Sequence, residues 1–275
     1  MDKLKFLTAG IPILAEKQGY KGAFETLKNL KLDGLEAEFV HGVRISEENI
    51  DLIKNAVNDN FTVTCHGPYY INLNAKEQEK IDASVDRILD TARVAKLMNA
   101  YSITYHAAFY MGNDKDIVFQ NVVKQTEKIV SVLKEEDNNI FIRPETTGKG
   151  TQWGTYEEII KLSELFDNVL PCIDFAHIHA RSGGQYNTYD EFCKIFDLIG
   201  TKLGDYALKN FHAHIAGIEY SPKGEKRHLI LEESDMNYKD LLKAFKNFDI
   251  KGVIVCESPN IETDAKILKE YYLSL

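Results

Sequence analysis

The chain has 275 residues, 44% of them hydrophobic and 27% charged. That is ordinary for a soluble globular protein and excludes a disordered tail, a collagen or a disulfide-stapled miniature. The 33 basic residues face 42 acidic ones, a net charge of −9, and only six of the basic residues are Arg. Sequence-blind coating of DNA, which needs many cations on phosphates, is therefore disfavoured, while a local basic groove is not. No apolar run approaches the ~18 residues of a membrane span. The opening stretch, MDKLKFLTAGIPILAEKQGYKG, lacks a signal peptide's unbroken apolar core, so a cytoplasmic location is expected.

Short β-like runs alternate with longer amphipathic ones from end to end. KFLTAG (5–10) and GLEAEFV (34–40) read as the first two strands. ISEENIDLIKNAVNDN (45–60) then opens with Ser46 and acidic residues and spaces Ile50, Ile53 and Val57 as a helix. The strand FTVTCHG (61–67) precedes a helix over 79–99. SITYHA (102–107) precedes one over 117–136, and NIFIRPE (139–145) one over 155–166. VLPCIDF (169–175), FHAHIAG (211–217) and GVIVCES (252–258) are followed by helices over 189–199, 238–248 and 262–275. Eight strands, each followed by a helix, are the arithmetic of one (β/α)8 TIM barrel, a single domain spanning 1–275. An open doubly wound sheet is the competitor, but the turn after the first strand, TAGIPIL, is not a G-x-G-x-x-G loop. Cys65, Cys172, Cys193 and Cys256 show no CxxC spacing and read as small, reduced hydrophobes.

Chemistry-bearing residues recur at the strand ends. His66 ends strand three, His106 strand four and Glu145 strand five; Asp174 ends strand six, with His177 three residues on. His212 and His214 lie in strand seven, His228 follows it, and Glu257 ends strand eight. A barrel gathers the C-terminal ends of its strands at one mouth, so these residues should converge. Mixed imidazole and carboxylate donors suit zinc, manganese or iron rather than calcium. Each residue also has a plain structural role open to it, Asp174 as a helix cap or Glu257 as an ion-pair partner. Five successive strands ending in a ligand-capable residue are harder to explain that way. GKGTQWG (148–154) lacks the G-K-[ST] of a P-loop and reads as a turn letting backbone approach a ligand. RSGGQ (181–185) reads as a flexible loop.

Four motifs carry a family resemblance: His66-Gly-Pro-Tyr69-Tyr-Ile-Asn72, Arg143-Pro-Glu145-Thr-Thr-Gly148, Asp174-Phe-Ala-His177 and Glu257-Ser-Pro259. Over residues 5 to 260 the chain resembles the endonuclease IV family of apurinic/apyrimidinic endonucleases, within the xylose-isomerase-like barrel superfamily. The resemblance implies a zinc-dependent phosphodiesterase of DNA base-excision repair that cuts 5′ of abasic sites. Its cofactors would be two zinc ions, or three, with manganese as the substitute, and its partner damaged duplex DNA; no membrane or protein partner is implied. His66, His106 and Glu145 would hold one ion, and Glu145, Asp174, His214 and Glu257 a second. His177 and His228 would contribute to a third. Glu145 would be the catalytic carboxylate, with Tyr69, Asn72 and Arg44 touching substrate. The choice of His214 over His212 stays open, because both face the same way at spacing two.

The chain departs from the family where an Asp-x-His pair is expected after strand seven. It reads Glu225-Lys226-Arg227-His228, with Lys226 in the Asp position and Glu225 one place out of register. Two other readings stand beside the nuclease. A metal-dependent sugar isomerase or epimerase would need only Glu145, Asp174, His214 and Glu257, and a metal-stabilised barrel that binds without cutting would need no chemistry.

Overall fold

Leu4 and Phe6 on β1 (Leu4–Ala9), Leu35 and Ala37 on β2 (Gly34–Glu38), and Val63 and Cys65 on β3 (Thr62–His66) all join one apolar core. The residues alternating with them, among them Lys5, Glu36, Thr62, Thr64 and His66, face the other way because strand side chains alternate. That alternation continues through β4 (Ser102–Tyr105), β5 (Phe141–Pro144), β6 (Ile173–Asp174), β7 (Phe211–Ile215) and β8 (Gly252–Cys256). In the computed structural model, which describes residues 1–275, these strands form one parallel sheet in the order β5-β4-β3-β2-β1-β8-β7-β6. Bridges Ile142–Val169 and Glu145–Cys172 join its two edges. The result is the expected (β/α)8 barrel.

The main core lies between the strands and the surrounding helices. A knot of Phe175, Phe192, Phe196, Phe211 and Phe245, with contacting ring centroids 5.0–5.8 Å apart, lies within it. The lumen differs from the Val/Ile/Leu filling usual in such barrels. Only Leu7, Val253 and Val255 form an apolar cluster there, and Lys5, Glu36, Arg143, His212 and His214 are buried. At the N-terminal end, Lys5 Nζ donates to Thr62 Oγ1 at 2.6 Å, and Arg143 donates to the carbonyls of Pro171 and Asn210. The carboxylates gather at the other end.

The helices are α1 (Gly19–Asn29), α2 (Glu47–Ala56), α3 (Gln78–Leu97), α4 (Lys115–Glu135), α5 (Tyr156–Ser163), α6 (Phe175–Arg181), α7 (Tyr189–Lys209), α8 (Tyr238–Asn247) and α9 (Glu262–Ser274). No helix is long and apolar enough to cross a membrane. Ser46 caps α2 by accepting from the Asn49 N–H, and a Thr155/Glu158 capping box opens α5.

The structure corrects the sequence reading at several places, among them α6, which begins at the end of the run VLPCIDF, and α7, which runs on to Lys209. Helix α1 was not anticipated: it contains two glycines and has no side-chain cap at Gln18. β6 shrinks to two residues, because Pro171 has no N–H to give a ladder. After β7 the chain makes a hairpin, Gly217–Ser221 with Gly224–Leu229, whose mostly half-buried, charge-bearing strands carry little apolar alternation.

Candidate metal centre

Glu145 sits just past β5, 1% exposed, at the centre of the barrel mouth. Its Oε2 lies 3.1 Å from His66 Nε2, and its Oε1 lies 3.2 Å from both His106 Nε2 and His177 Nδ1. His214 Nδ1 stands 3.4 Å from the same Oε1 and 3.2 Å from Glu257 Oε1. Three donor groups result, each with its donor atoms within 4.8 Å of one another: His66/His106/Glu145, Glu145/Asp174/His214/Glu257 and Asp174/His177/His228. The eight residues singled out from sequence are thereby brought together. His214 rather than His212 faces the carboxylates; His212 lies deeper, against Glu36 and Ser102.

The atoms are also oriented. His66 Nδ1 donates to the Gly67 carbonyl at 2.7 Å, His177 Nδ1 to Thr146 at 2.9 Å and His228 Nδ1 to Glu257 at 3.2 Å. Each imidazole is thus left with Nε2 for another partner, the arrangement that fixes metal-binding histidines. Asp174 serves two purposes: Oδ1 caps α6 at His177 N, 2.6 Å away, while Oδ2, 3.2 Å from His177 Nδ1, makes no hydrogen bond. Glu145 Oε1, Asp174 Oδ2, His214 Nδ1, His228 Nε2 and Glu257 Oε2 are all buried without a hydrogen-bond partner. Leaving such groups unsatisfied costs about 1–3 kcal/mol each, and divalent cations would satisfy them together. The donor chemistry and the orphaned atoms therefore fit metal ions at this mouth.

Electrostatics agree. Burial penalises the charge on Glu145, but His106 and His214 reverse that and hold its carboxyl well below the usual range. Burial likewise opposes a charged His66, yet its hydrogen bond to Glu145 lifts it to about 10.

At the third group the register problem resolves. In the 217–229 hairpin Tyr220 pairs with Glu225 and Glu219 with Arg227, so Lys226 is the extra residue of a β-bulge. Lys226 turns outward to an ion pair with Glu219. The inserted residue brings Glu225 and His228 to the same side, and Glu225 Oε2 comes to 3.6 Å from His177 Nε2. Gly148 makes this approach feasible, since a Cβ there would lie 2.7 Å from Glu225 Cβ and 3.0 Å from His177 Cδ2.

Around the mouth, Tyr69 is 56% exposed, with its ring 6.0 Å from that of His66. Its N–H donates to the Val40 carbonyl, which places the exposed Arg44 on the neighbouring loop. Tyr69, Tyr70, Asn72, Arg87 and Phe109 line a cavity of about 530 Å³ beside the centre. Asn72 is partly committed to structure, because its Oδ1 accepts from Asn74 N and Phe109 N. Two carboxylates escaped the sequence reading. Glu36 is fully buried below His214, and burial pushes the half-buried Glu38 up to about 8. Their signal was in the alternation of GLEAEFV, where acids occupy the inward positions of a barrel strand.

Fold and mouth together define a (β/α)8 barrel whose mouth gathers donor groups able to hold metal ions. The chain belongs to the xylose isomerase-like TIM barrel family, whose model matches residues 24–272. It is 42% identical over 273 residues to an uncharacterized protein of Methanocaldococcus jannaschii, MJ0133, covering 99% of this chain and 98% of that one. Among solved structures it is similar to endonuclease IV from Thermus thermophilus (TM-score 0.74, 16% identity, 98% of this chain and 100% of that one). It is equally similar to a D-tagatose 3-epimerase-like protein (TM-score 0.74, 18% identity, 98% and 97%). At such identities these likenesses speak to the fold.

Proposed function

We propose that the protein is a metal-dependent phosphodiesterase of DNA repair that cleaves damaged duplex DNA 5′ of abasic sites. The observation that carries this reading is the position of Glu145 between two donor sets, with His66 and His106 on one side and His214, Asp174 and Glu257 on the other. Isomerising or epimerising a sugar needs only the second set, and the His66–Glu145–His106 arrangement is superfluous for it. When bound, divalent cations, zinc by donor type with manganese as the substitute, supply Lewis acidity toward a phosphoryl oxygen and lower the pKa of water.

The chain's own residues do the rest. Glu145 presents Oε2 to His66 and Oε1 to both His106 and His214. The carbonyls of Gly67, Thr146 and Glu257 hold three imidazoles in place. Tyr69 and Arg44, on adjacent loops, are suited to wedging open a duplex at a lesion, where unstacking is least costly. The likeness to endonuclease IV supports this reading.

A sugar epimerase is the second reading, favoured by the sufficiency of Glu145, Asp174, His214 and Glu257 for one cation and by the epimerase-like neighbour. One comparison separates the two. Zinc-loaded protein is incubated with a duplex bearing a single abasic site, and manganese-loaded protein with a panel of ketohexoses in deuterated water. The phosphodiesterase reading expects cleavage to a 3′-hydroxyl and a 5′-deoxyribose phosphate. Intact duplex together with deuterium entering a ketohexose would replace it with the epimerase.

A further inference from the structure

His66, His177 and His228 share a device that His214 lacks. Each of the three rings is held by a backbone carbonyl just outside the regular strands. His214 lies inside β7, where neighbouring strands occupy the backbone on both sides: it pairs in register with Val255 of β8 and Asp174 of β6. No main-chain oxygen is left to orient its ring. What face it instead are the thiol of Cys172, within 4.8 Å of a ring nitrogen, and Glu36, on β2 across the lumen. Glu36 Oε1 lies 3.1 Å from His214 Nε2, and Glu36 Oε2 lies 3.2 Å from His212 Nε2; the four atoms are buried and have no other partner, although the contacts fall short of hydrogen-bond geometry. All three residues are completely buried. The chain of contacts continues downward, with Ser102 Oγ 3.0 Å from His212 Nδ1.

We infer that Glu36 is the positioning residue of the centre: it accepts the Nε2 proton of His214 and so turns Nδ1 toward Glu145 and Glu257. His212 holds the other carboxylate oxygen and keeps Glu36 from rotating. This assigns work to a fully buried carboxylate in a barrel lumen, a place where an acid without a purpose would be costly. The inference rests on the proposed metal centre and adds to it a residue that touches neither substrate nor cation. Outer partners of this kind typically change metal affinity by ~10–100-fold.

The test uses the full-length protein with zinc as the probe. The isosteric Glu36→Gln variant keeps the shape and removes the charge. Competition against a chromophoric chelator should show one zinc bound ~10–100-fold more weakly, that of the Glu145/Asp174/His214/Glu257 set, while the other ions keep their affinity. Nitrogen-15 NMR of the zinc-loaded wild type should show His214 protonated at Nε2 and coordinating through Nδ1. The Nε2 proton resonance should then move upfield in Glu36→Gln, whose neutral amide oxygen accepts more weakly than a carboxylate. Unchanged zinc affinities in the variant would overturn the role of Glu36. So would Nε2 coordination in the wild type, a measurement that does not depend on the variant folding. Absence of zinc binding by the wild type is a different result: it removes the proposed centre itself, and Glu36 with it.

Discussion

His66 and Glu145, 79 residues apart in sequence, meet with Nε2 and Oε2 3.1 Å apart. Glu145's other oxygen faces His106 and His214, so the carboxylate stands where two donor sets touch. From that relationship the behaviour of the centre follows.

The first expectation concerns pH. In the metal-free protein the Glu145 hydrogen bond outweighs burial and raises His66 from 6.5 to about 10. A raised folded-state pKa stabilises fully below about 6.5, and the contribution is lost as pH rises towards 10. Chelator-treated protein should therefore lose thermal stability between those limits. Zinc must displace that proton, so zinc uptake should release protons and tighten with rising pH. Calorimetry in two buffers of different ionisation enthalpy reads this directly; no proton release would contradict it.

The bulge at Lys226 makes a paired prediction. Glu225→Gln should weaken the ion of the Asp174/His177/His228 group and lower the zinc count by one. Lys226→Ala, which removes only the outward pair with Glu219, should leave the count unchanged. Equal behaviour of the two variants would show that Glu225 has no part in the group.

Arg44→Ala should weaken binding to an abasic duplex at low salt and reduce the slope of log affinity against log salt by about one, the loss of one phosphate contact. Tyr69→Ala should weaken binding to the abasic duplex more than to an intact one, because its wedge acts at the lesion. Fluorescence anisotropy across a salt series checks both, and neither variant should alter metal content.

Phe196 packs against four rings, those of Phe175, Phe211, Phe245 and Phe248, at 5.0–5.8 Å. Phe196→Ala should cost about 3–5 kcal/mol in urea unfolding while the refolded variant still takes up zinc, since the knot lies outside the strands and the centre inside them.

The barrel was legible because β-like runs and helical periodicity are local signals, and β2, β3 and β8 end within two residues of where GLEAEFV, FTVTCHG and GVIVCES place them. What was lost had a weaker or ambiguous local signal. Helix α1, with Gly19 and Gly22, is stabilised by packing of Ala23 and Leu27 rather than by propensity. The ligand-type residues could be read from strand ends, since topology alone brings strand ends together. Glu36's inward direction could be read from the alternation of GLEAEFV, but its partners His212 and His214 lie far away in sequence. Lys226 looked like a lost ligand because a bulge shifts the face by one residue, and bulges are set by the pairing of both strands.

The most direct test of a shared carboxylate is the zinc content of protein purified without chelator, by elemental analysis, for the wild type and Glu145→Gln. The account predicts at least two zinc ions per chain, with Glu145→Gln losing those on both sides of the residue. A single ion per chain, or a count that does not fall in the variant, would contradict it.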